Sequence, residues 1–266
     1  MWGSLIRDED TIPSHTAKIF ENESESLVDV VNEGEAGWVS TQSLIWLIKM
    51  LHRNEVPDVV VFYDGVNDSY VAYQQGEGSG GNPQNEERRR IEFNLLKRPG
   101  DLAKTAVFSG IQQSATFRIL KRLSGAQPSV PKREDVDHLA EGVVSAYEAN
   151  FRIIEALSEA YGFEFLFVWQ PNIFFKKTLS PAEEIIDASN EPTRLIYETI
   201  HTRIRESELL AGSDNFLNLE YAFNDHPETL YFDQCHLVGA GNEIIAKQLA
   251  PVLKKKLSQL TTKGGL

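Results

Sequence analysis

The sequence predicts an α/β protein: a parallel sheet with helices on both faces. Two observations carry this. First, two runs read as buried strands. Asp58-Val59-Val60-Val61-Phe62-Tyr63 follows Pro57 and closes at Asp64-Gly65, and Phe163-Glu164-Phe165-Leu166-Phe167-Val168-Trp169 closes at Gln170-Pro171. Continuous β-branched and aromatic stretches ended by turn residues are the pattern of strands covered on both faces. Second, long segments with helical spacing separate and follow them, which implies βα units.

The elements follow in chain order. Leu27-Val28-Asp29-Val30-Val31-Asn32 is a weaker strand candidate. Ser40 or Thr41 is placed to cap a helix whose Leu44, Ile45, Leu47, Ile48 and Leu51 share one face. After the strand at 58–63, Gly76 to Arg90 is rich in Gly, Asn and Glu and reads as a surface loop, and Ser124 to Pro131 as a second. The stretch between them, about Ile91 to Leu123, reads as helical, so that 76–131 is expected to be a helical and loop insertion within one domain spanning 1–266. Glu134 to Tyr161 sets Val143, Val144, Tyr147, Phe151, Ile154 and Leu157 at helical spacing before Gly162, a helix stop. Thr193 to Leu210 reads as one helix, Phe216 to Leu219 as a short strand, and about Gly241 to Leu257 as a last helix ending in Lys254-Lys255-Lys256.

Composition narrows the function classes. The chain has 266 residues, 41% hydrophobic and 24% charged, which excludes a fibrous or disordered protein. Its net charge of −13 repels phosphate backbones and anionic membranes, so no nucleic-acid partner is expected. No apolar run approaches the ~20 residues of a membrane span, and Met1-Trp2-Gly3-Ser4 leads into charged Arg7-Asp8-Glu9-Asp10 with no signal-peptide pattern. Cys235 is the single cysteine, so no internal disulfide forms and the compartment stays open.

Ligands of a parallel sheet bind at the carboxyl ends of its strands, where two polar clusters fall. In Tyr63-Asp64-Gly65-Val66-Asn67-Asp68, the glycine permits a sharp turn and Asn67 presents an amide able to donate to an oxyanion; the plain alternative is an Asx-rich turn. In Tyr231-Phe232-Asp233-Gln234-Cys235-His236, before the last helix, Asp233 and His236 are three apart. A tight turn there lets the carboxylate bond one imidazole nitrogen while the other faces a site; the alternative is a capping Asp beside a surface His.

Taken together, Gly65-x-Asn67-Asp68 after a strand and Asp233-x-x-His236 before the C-terminal helix resemble the SGNH hydrolases, the GDSL esterase/lipase family. Asn32-Glu33-Gly34-Glu35-Ala36-Gly37-Trp38-Val39-Ser40-Thr41 looks like the family's second block, and Pro57 to Asp68 is similar to a bacterial branch. The resemblance implies a three-layer α/β/α, flavodoxin-like fold with a five-stranded parallel sheet, and hydrolysis of carboxylic esters, including acetyl groups on carbohydrates. It implies His236 as general base, Asp233 as its orienting partner, and Asn67 with the N–H of Gly37 as the oxyanion hole. It implies no cofactor, and no metal-ligand spacing such as HExxH appears. The expected partner is a small-molecule or carbohydrate ester.

The resemblance also implies an omission. The family's nucleophilic serine follows its first strand, and aligning Gly3 with the glycine beyond that serine puts the nucleophile two residues before Met1. The expectation is an N-terminally truncated chain, lacking the nucleophile, with a sheet missing its first, internal strand. The edges near Val28–Asn32 and Val59–Tyr63 would then be unpaired. A signal or anchor upstream would be hidden too. The rival reading is a catalytically inactive binding or scaffold protein of the same fold, and a nucleotide-binding protein is disfavoured because no phosphate loop is present. Gly239-Ala240-Gly241 is not one, since no βαβ unit follows. Ser4 falls too late to replace the nucleophile, and Ser14, Ser40 and Ser69 read as caps or turn residues. His226, next to Asp225, competes weakly with His236. His15, His52, His138 and His201 read as surface or half-buried, and Arg88-Arg89-Arg90 as a solvated charge run. Trp38, Trp46 and Trp169 read as core or pocket residues, and Trp169 ends a strand where a ligand is able to meet it.

Overall fold

The computed structural model describes residues 6–23, 28–75 and 133–263. The insertion at 76–131, Gly3, Ser4 and Arg88–Arg90 lie outside them. Among the described residues, three strands make one parallel sheet in the order β1 (Val59–Asp64), β2 (Glu164–Trp169), β3 (Phe216–Asn218). Asp64 is level with Trp169, and Trp169 with Asn218, so all three carboxyl ends reach one rim. The helices are α1 (Ile12–Glu23), α2 (Ser40–His52), α3 (Val66–Gln75), α4 (Arg133–Tyr161), α5 (Pro181–Ser189), α6 (Glu191–Glu206), α7 (Glu208–Ala211) and α8 (Gly239–Lys263). No helix among them is long and apolar enough to cross a membrane.

Strand alternation divides the core in two. Phe165, Phe167 and Trp169 of β2 point to one face, where they meet Tyr147 and Phe151 of α4, Ile196 and Ile200 of α6, and Leu47 of α2. Leu166 and Val168 point to the other, with Ile12 and Phe20 of α1 and Ile245, Leu249 and Leu253 of α8. Every residue of β2 is buried, which is why its sequence shows no polar alternation. The α/β class predicted from the sequence is therefore present, with helices on both faces of the sheet.

Four local expectations are corrected. Residues 28–32 form no strand: Asp29, Val31 and Asn32 are exposed, and Val31 keeps 65% of its surface. β1 has β2 as its only neighbour among the described residues, so Val59, Val60, Val61 and Tyr63 are half-buried rather than covered on both faces. The helix expected over 193–210 is two. Ser207 interrupts it in extended conformation, its hydroxyl accepting from the N–H of Leu210 and donating to Glu148. Val39, not Ser40 or Thr41, precedes the first turn of α2, with its N–H bonded to Gln42 Oε1.

Candidate functional site

The strand ends are joined by side chains from the turns that follow them. After β1 the chain turns at Gly65, whose φ of +120° suits only glycine, and α3 begins at Val66. Three groups fix this turn. The Trp169 indole lies flush against it: a Cβ on Gly65 would come within 2.7 Å of the ring. Gln170 accepts from the N–H of Val66 at 3.1 Å, and the Tyr197 hydroxyl donates to the Val66 carbonyl at 3.2 Å. Asn67 comes next, half-buried, with its Nδ2 donating to the Trp38 carbonyl at 2.8 Å.

That bond brings the Gly37–Trp38 loop against the Asn67 turn. Gly37 has φ +76° and is half-buried. Asp68, 1% exposed, closes the joint from beneath. It accepts from the N–H of Gly65 (3.2 Å), and from the N–H and hydroxyl of Ser40 (3.1 and 2.6 Å). Asn150 of α4 donates to Ser40 Oγ and Thr41 Oγ1. Ser40 is thus a structural clasp, and Ser69 and Ser14 bond the carbonyls of Gly65 and Asp8.

A second buried carboxyl, Asp64, sits at the end of β1. Among the described residues it has one donor, the Ser43 hydroxyl at 3.2 Å, and its Oδ2 has no partner. Burial, with the adjacent Asp68 charge, pushes Asp64 up to about 8. Burial also raises Asp68, against the donors that favour its charge. Asp64 is therefore the carboxyl that keeps a proton at neutral pH.

The other half of the site is the loop Phe232–His236. An antiparallel bridge between Tyr231 and Leu237 closes it, reinforced by Phe232 N–H to His236 O and Val238 N–H to Leu230 O. Within it Asp233 Oδ1 accepts from the N–H of Cys235 (2.9 Å) and of His236 (2.7 Å), while Oδ2 bonds His236 Nδ1 at 2.6 Å. Burial pushes the Asp233 carboxyl upward, but the His236 ring and the two N–H donors outweigh it and hold it below the usual range. With Nδ1 engaged, Nε2 is the nitrogen left to act as acceptor on a neutral ring. The imidazole is 46% exposed and stacks on Phe232, interplanar angle 12°.

The two halves share the strand-end rim. Gln234 O accepts from Ile173 N–H, just past the end of β2, and Cys235 packs against the cluster that includes Val66, Trp169 and Tyr197. The Tyr197 hydroxyl that bonds Val66 is close enough to Asp233 to feel its charge. Below the loop, Glu183 is wholly buried. It accepts from the N–H groups of Leu230 and Tyr231 and pairs with Lys176 at 2.6 Å.

Asp233, Cys235 and His236 offer three donor atoms within 4.8 Å of one another. The Nδ1 there is committed to Asp233. The geometry is that of a hydrogen-bonded acid–imidazole pair. His226 lies elsewhere, bonded to Glu228 at 2.9 Å.

Trp169 is 0% exposed, the core alternative of its two readings, and it seats Gly65. One sequence reading changes. His201 is 1% exposed, not a surface residue. It falls on the apolar stripe of α6 with Ile196, Tyr197, Ile200 and Ile204, and that phase was the sequence signal for its burial. Glu183 also carried a signal, Ser180-Pro181-x-Glu183, a capping box. No protein-family model matches this chain, and no curated protein does.

Proposed function

We propose that this site belongs to an ester hydrolase of the SGNH type. His236 is its general base, Asp233 holds that base, and Asn67 and the Gly37 N–H form its oxyanion hole. The observation that carries the reading is the 2.6 Å Asp233–His236 bond, on a loop whose Cys235 packs against the same cluster as Val66, the residue before Asn67.

In this mechanism His236 Nε2 takes the proton of an attacking hydroxyl as its oxygen adds to the ester carbonyl. The ionised Asp233 stabilises the resulting imidazolium through Nδ1–H. The carbonyl oxygen becomes an oxyanion that accepts from Asn67 Nδ2 and Gly37 N–H. His236 then returns the proton to the leaving alcohol, and water repeats the sequence on the acyl group. The reading leaves the attacking hydroxyl to a residue not identified among the described ones. A carbohydrate ester is the favoured substrate class, on the resemblance alone.

The test is hydrolysis of p-nitrophenyl acetate by the chain and by the product of a reading frame extended upstream of Met1. Activity in either form that falls about 10³-fold or more in His236→Ala, and about 10²-fold or more in Asn67→Ala, supports the reading. No hydrolysis in both forms, or activity indifferent to His236→Ala, overturns it.

A further inference from the structure

Beneath the Asn67 turn runs a buried polar line that the proposed mechanism does not use. The indole Nε1–H of Trp169 points at the His201 ring edge, 3.0 Å from Nε2 and 3.3 Å from Nδ1, with Nε2 the nearer acceptor. His201 Nδ1 lies 3.6 Å from Glu220 Oε1, and Phe175 stacks on the imidazole at 4.0 Å between centroids. Glu220, 2% exposed, is paired by Arg205, which also donates to the Tyr221 hydroxyl at 2.8 Å. The line runs from a half-exposed guanidinium to the underside of the site.

Its chemistry is directional. Arg205 is always charged, so Glu220 stays ionised: burial works against that charge, but His201 and Arg205 hold the carboxyl below its usual range. An ionised Glu220 attracts the hydrogen of His201 to Nδ1, leaving a lone pair on Nε2. Burial pushes His201 down, so the ring stays neutral and keeps that lone pair. An indole N–H has no other way to be satisfied once buried. The ring plane of Trp169 is therefore set by an acceptor behind it and by Gly65 in front of it.

We infer that His201 is a positioning residue for Asn67: by anchoring the Trp169 indole it fixes the surface on which the Gly65–Asn67 turn is seated. The kinetic consequence rests on the ester-hydrolase reading, but the geometric one does not. Moving the indole by a few tenths of an ångström shifts the surface that leaves no room for a Cβ at Gly65, and the amide two residues on follows it.

The experiment is NMR on uniformly ¹⁵N-labelled chain. The chain has four tryptophans, so Trp169→Phe assigns the indole signal and Asn67→Asp assigns the side-chain amide pair. His201→Phe, which keeps a flat ring but removes the acceptor, is expected to shift both signals. His201→Gln, whose carbonyl is able to accept from the indole, is expected to return the Asn67 pair toward its wild-type position. In a Trp169→Phe background, His201→Phe is expected to move the Asn67 pair no further. Glu220→Gln provides the same perturbation if His201→Phe does not fold. In whichever form hydrolyses p-nitrophenyl acetate, His201→Phe is expected to lower kcat about 10-fold, less than losing an oxyanion donor outright, with KM changed less than about 2-fold. An Asn67 pair unmoved while the Trp169 indole shifts overturns the inference, as does a shift that persists in the Trp169→Phe background. If no form hydrolyses the ester, the functional reading fails and the NMR arms still decide the positioning role.

Discussion

Replacing Asp64 with Asn changes how the stability of the fold depends on pH. Asp64 is 7% exposed, has one donor and one unpartnered oxygen among the described residues, and is pushed up to about 8 by burial and by the neighbouring Asp68 charge. In the unfolded chain the same carboxyl titrates near 3.9. Between these values the folded chain holds a proton that the unfolded chain has released, so raising the pH favours unfolding. The contribution is fully present below about pH 4 and is lost progressively as the pH climbs through about 8. One linked proton gives a slope near 1.4 kcal/mol per pH unit, or about 4 kcal/mol between pH 5 and 8. That is large against a typical stability of ~5–15 kcal/mol. Asn has no proton to lose, and its carbonyl still accepts from Ser43. In urea unfolding followed by far-UV circular dichroism at pH 5, 6, 7 and 8, Asp64→Asn is expected to gain on the wild type by roughly 1 kcal/mol per unit. A stability difference that stays constant from pH 5 to 8 would refute the assignment of the proton to Asp64.

Three further outcomes follow from the same geometry. Gly65→Ala combines a positive φ with a Cβ 2.7 Å from a buried indole, so thermal unfolding should show a loss of about 2–4 kcal/mol, and it should be larger than for Gly162→Ala, whose Cβ would meet nothing. Glu183→Gln leaves Lys176 buried without its counter-charge and weakens the bonds to Leu230 and Tyr231; denaturant titration should register about 3–5 kcal/mol. His201 is pushed down by burial, so the stability that depends on its neutral ring is present above its unfolded value near 6.5 and falls as the pH drops toward the depressed value. His201→Gln should therefore lose less stability than the wild type between pH 6.5 and 4.5, measured by urea midpoint.

The sequence made strands visible where burial is uniform and helices visible where it is one-sided. β2 is buried at every residue, and the apolar run Phe165–Trp169 that follows its first residue, Glu164, says so. α4 turns one stripe to the sheet, and Tyr147, Phe151 and Ile154 fall on it at intervals of four and three. What local pattern does not encode is which neighbour an element finds. The Val59–Val61 run has the composition of a central strand, and only the expected loss of a neighbouring strand accounts for its single neighbour among the described residues. Leu27–Asn32 has apolar residues at strand spacing, but Val31 keeps 65% of its surface. The candidate site divides in the same way. Asp233 and His236 sit on one short loop, so spacing alone suggests their bond. Asn67, Trp38, Asp68 and Ser40 meet across about 30 positions of chain, and only the fold brings them to hydrogen-bonding distance. The Trp169–His201 contact spans 32 positions and leaves a trace only in the phase of α6.

The pH range in which the proposed chemistry operates has two independent limits. Asp233 serves His236 as an anion, and the His236 ring bond with two backbone N–H donors keeps it one well below neutrality. Asp64 has no comparable set of donors among the described residues and lies at the root of the Asn67 turn, so it serves the site only while protonated. Acidification therefore attacks the base itself, because a protonated ring has no Nε2 lone pair with which to accept, and alkalinisation attacks the oxyanion turn through Asp64. The two failures are separable because they involve different groups. Asp64→Asn should extend activity upward past pH 8 and leave the acid limb in place, whereas Asp233→Asn, which cannot hold imidazolium, should depress the rate across the whole range. A profile whose alkaline limb ignores Asp64→Asn would mean that the proton on Asp64 matters to folding alone and that the Asn67 turn tolerates the buried charge.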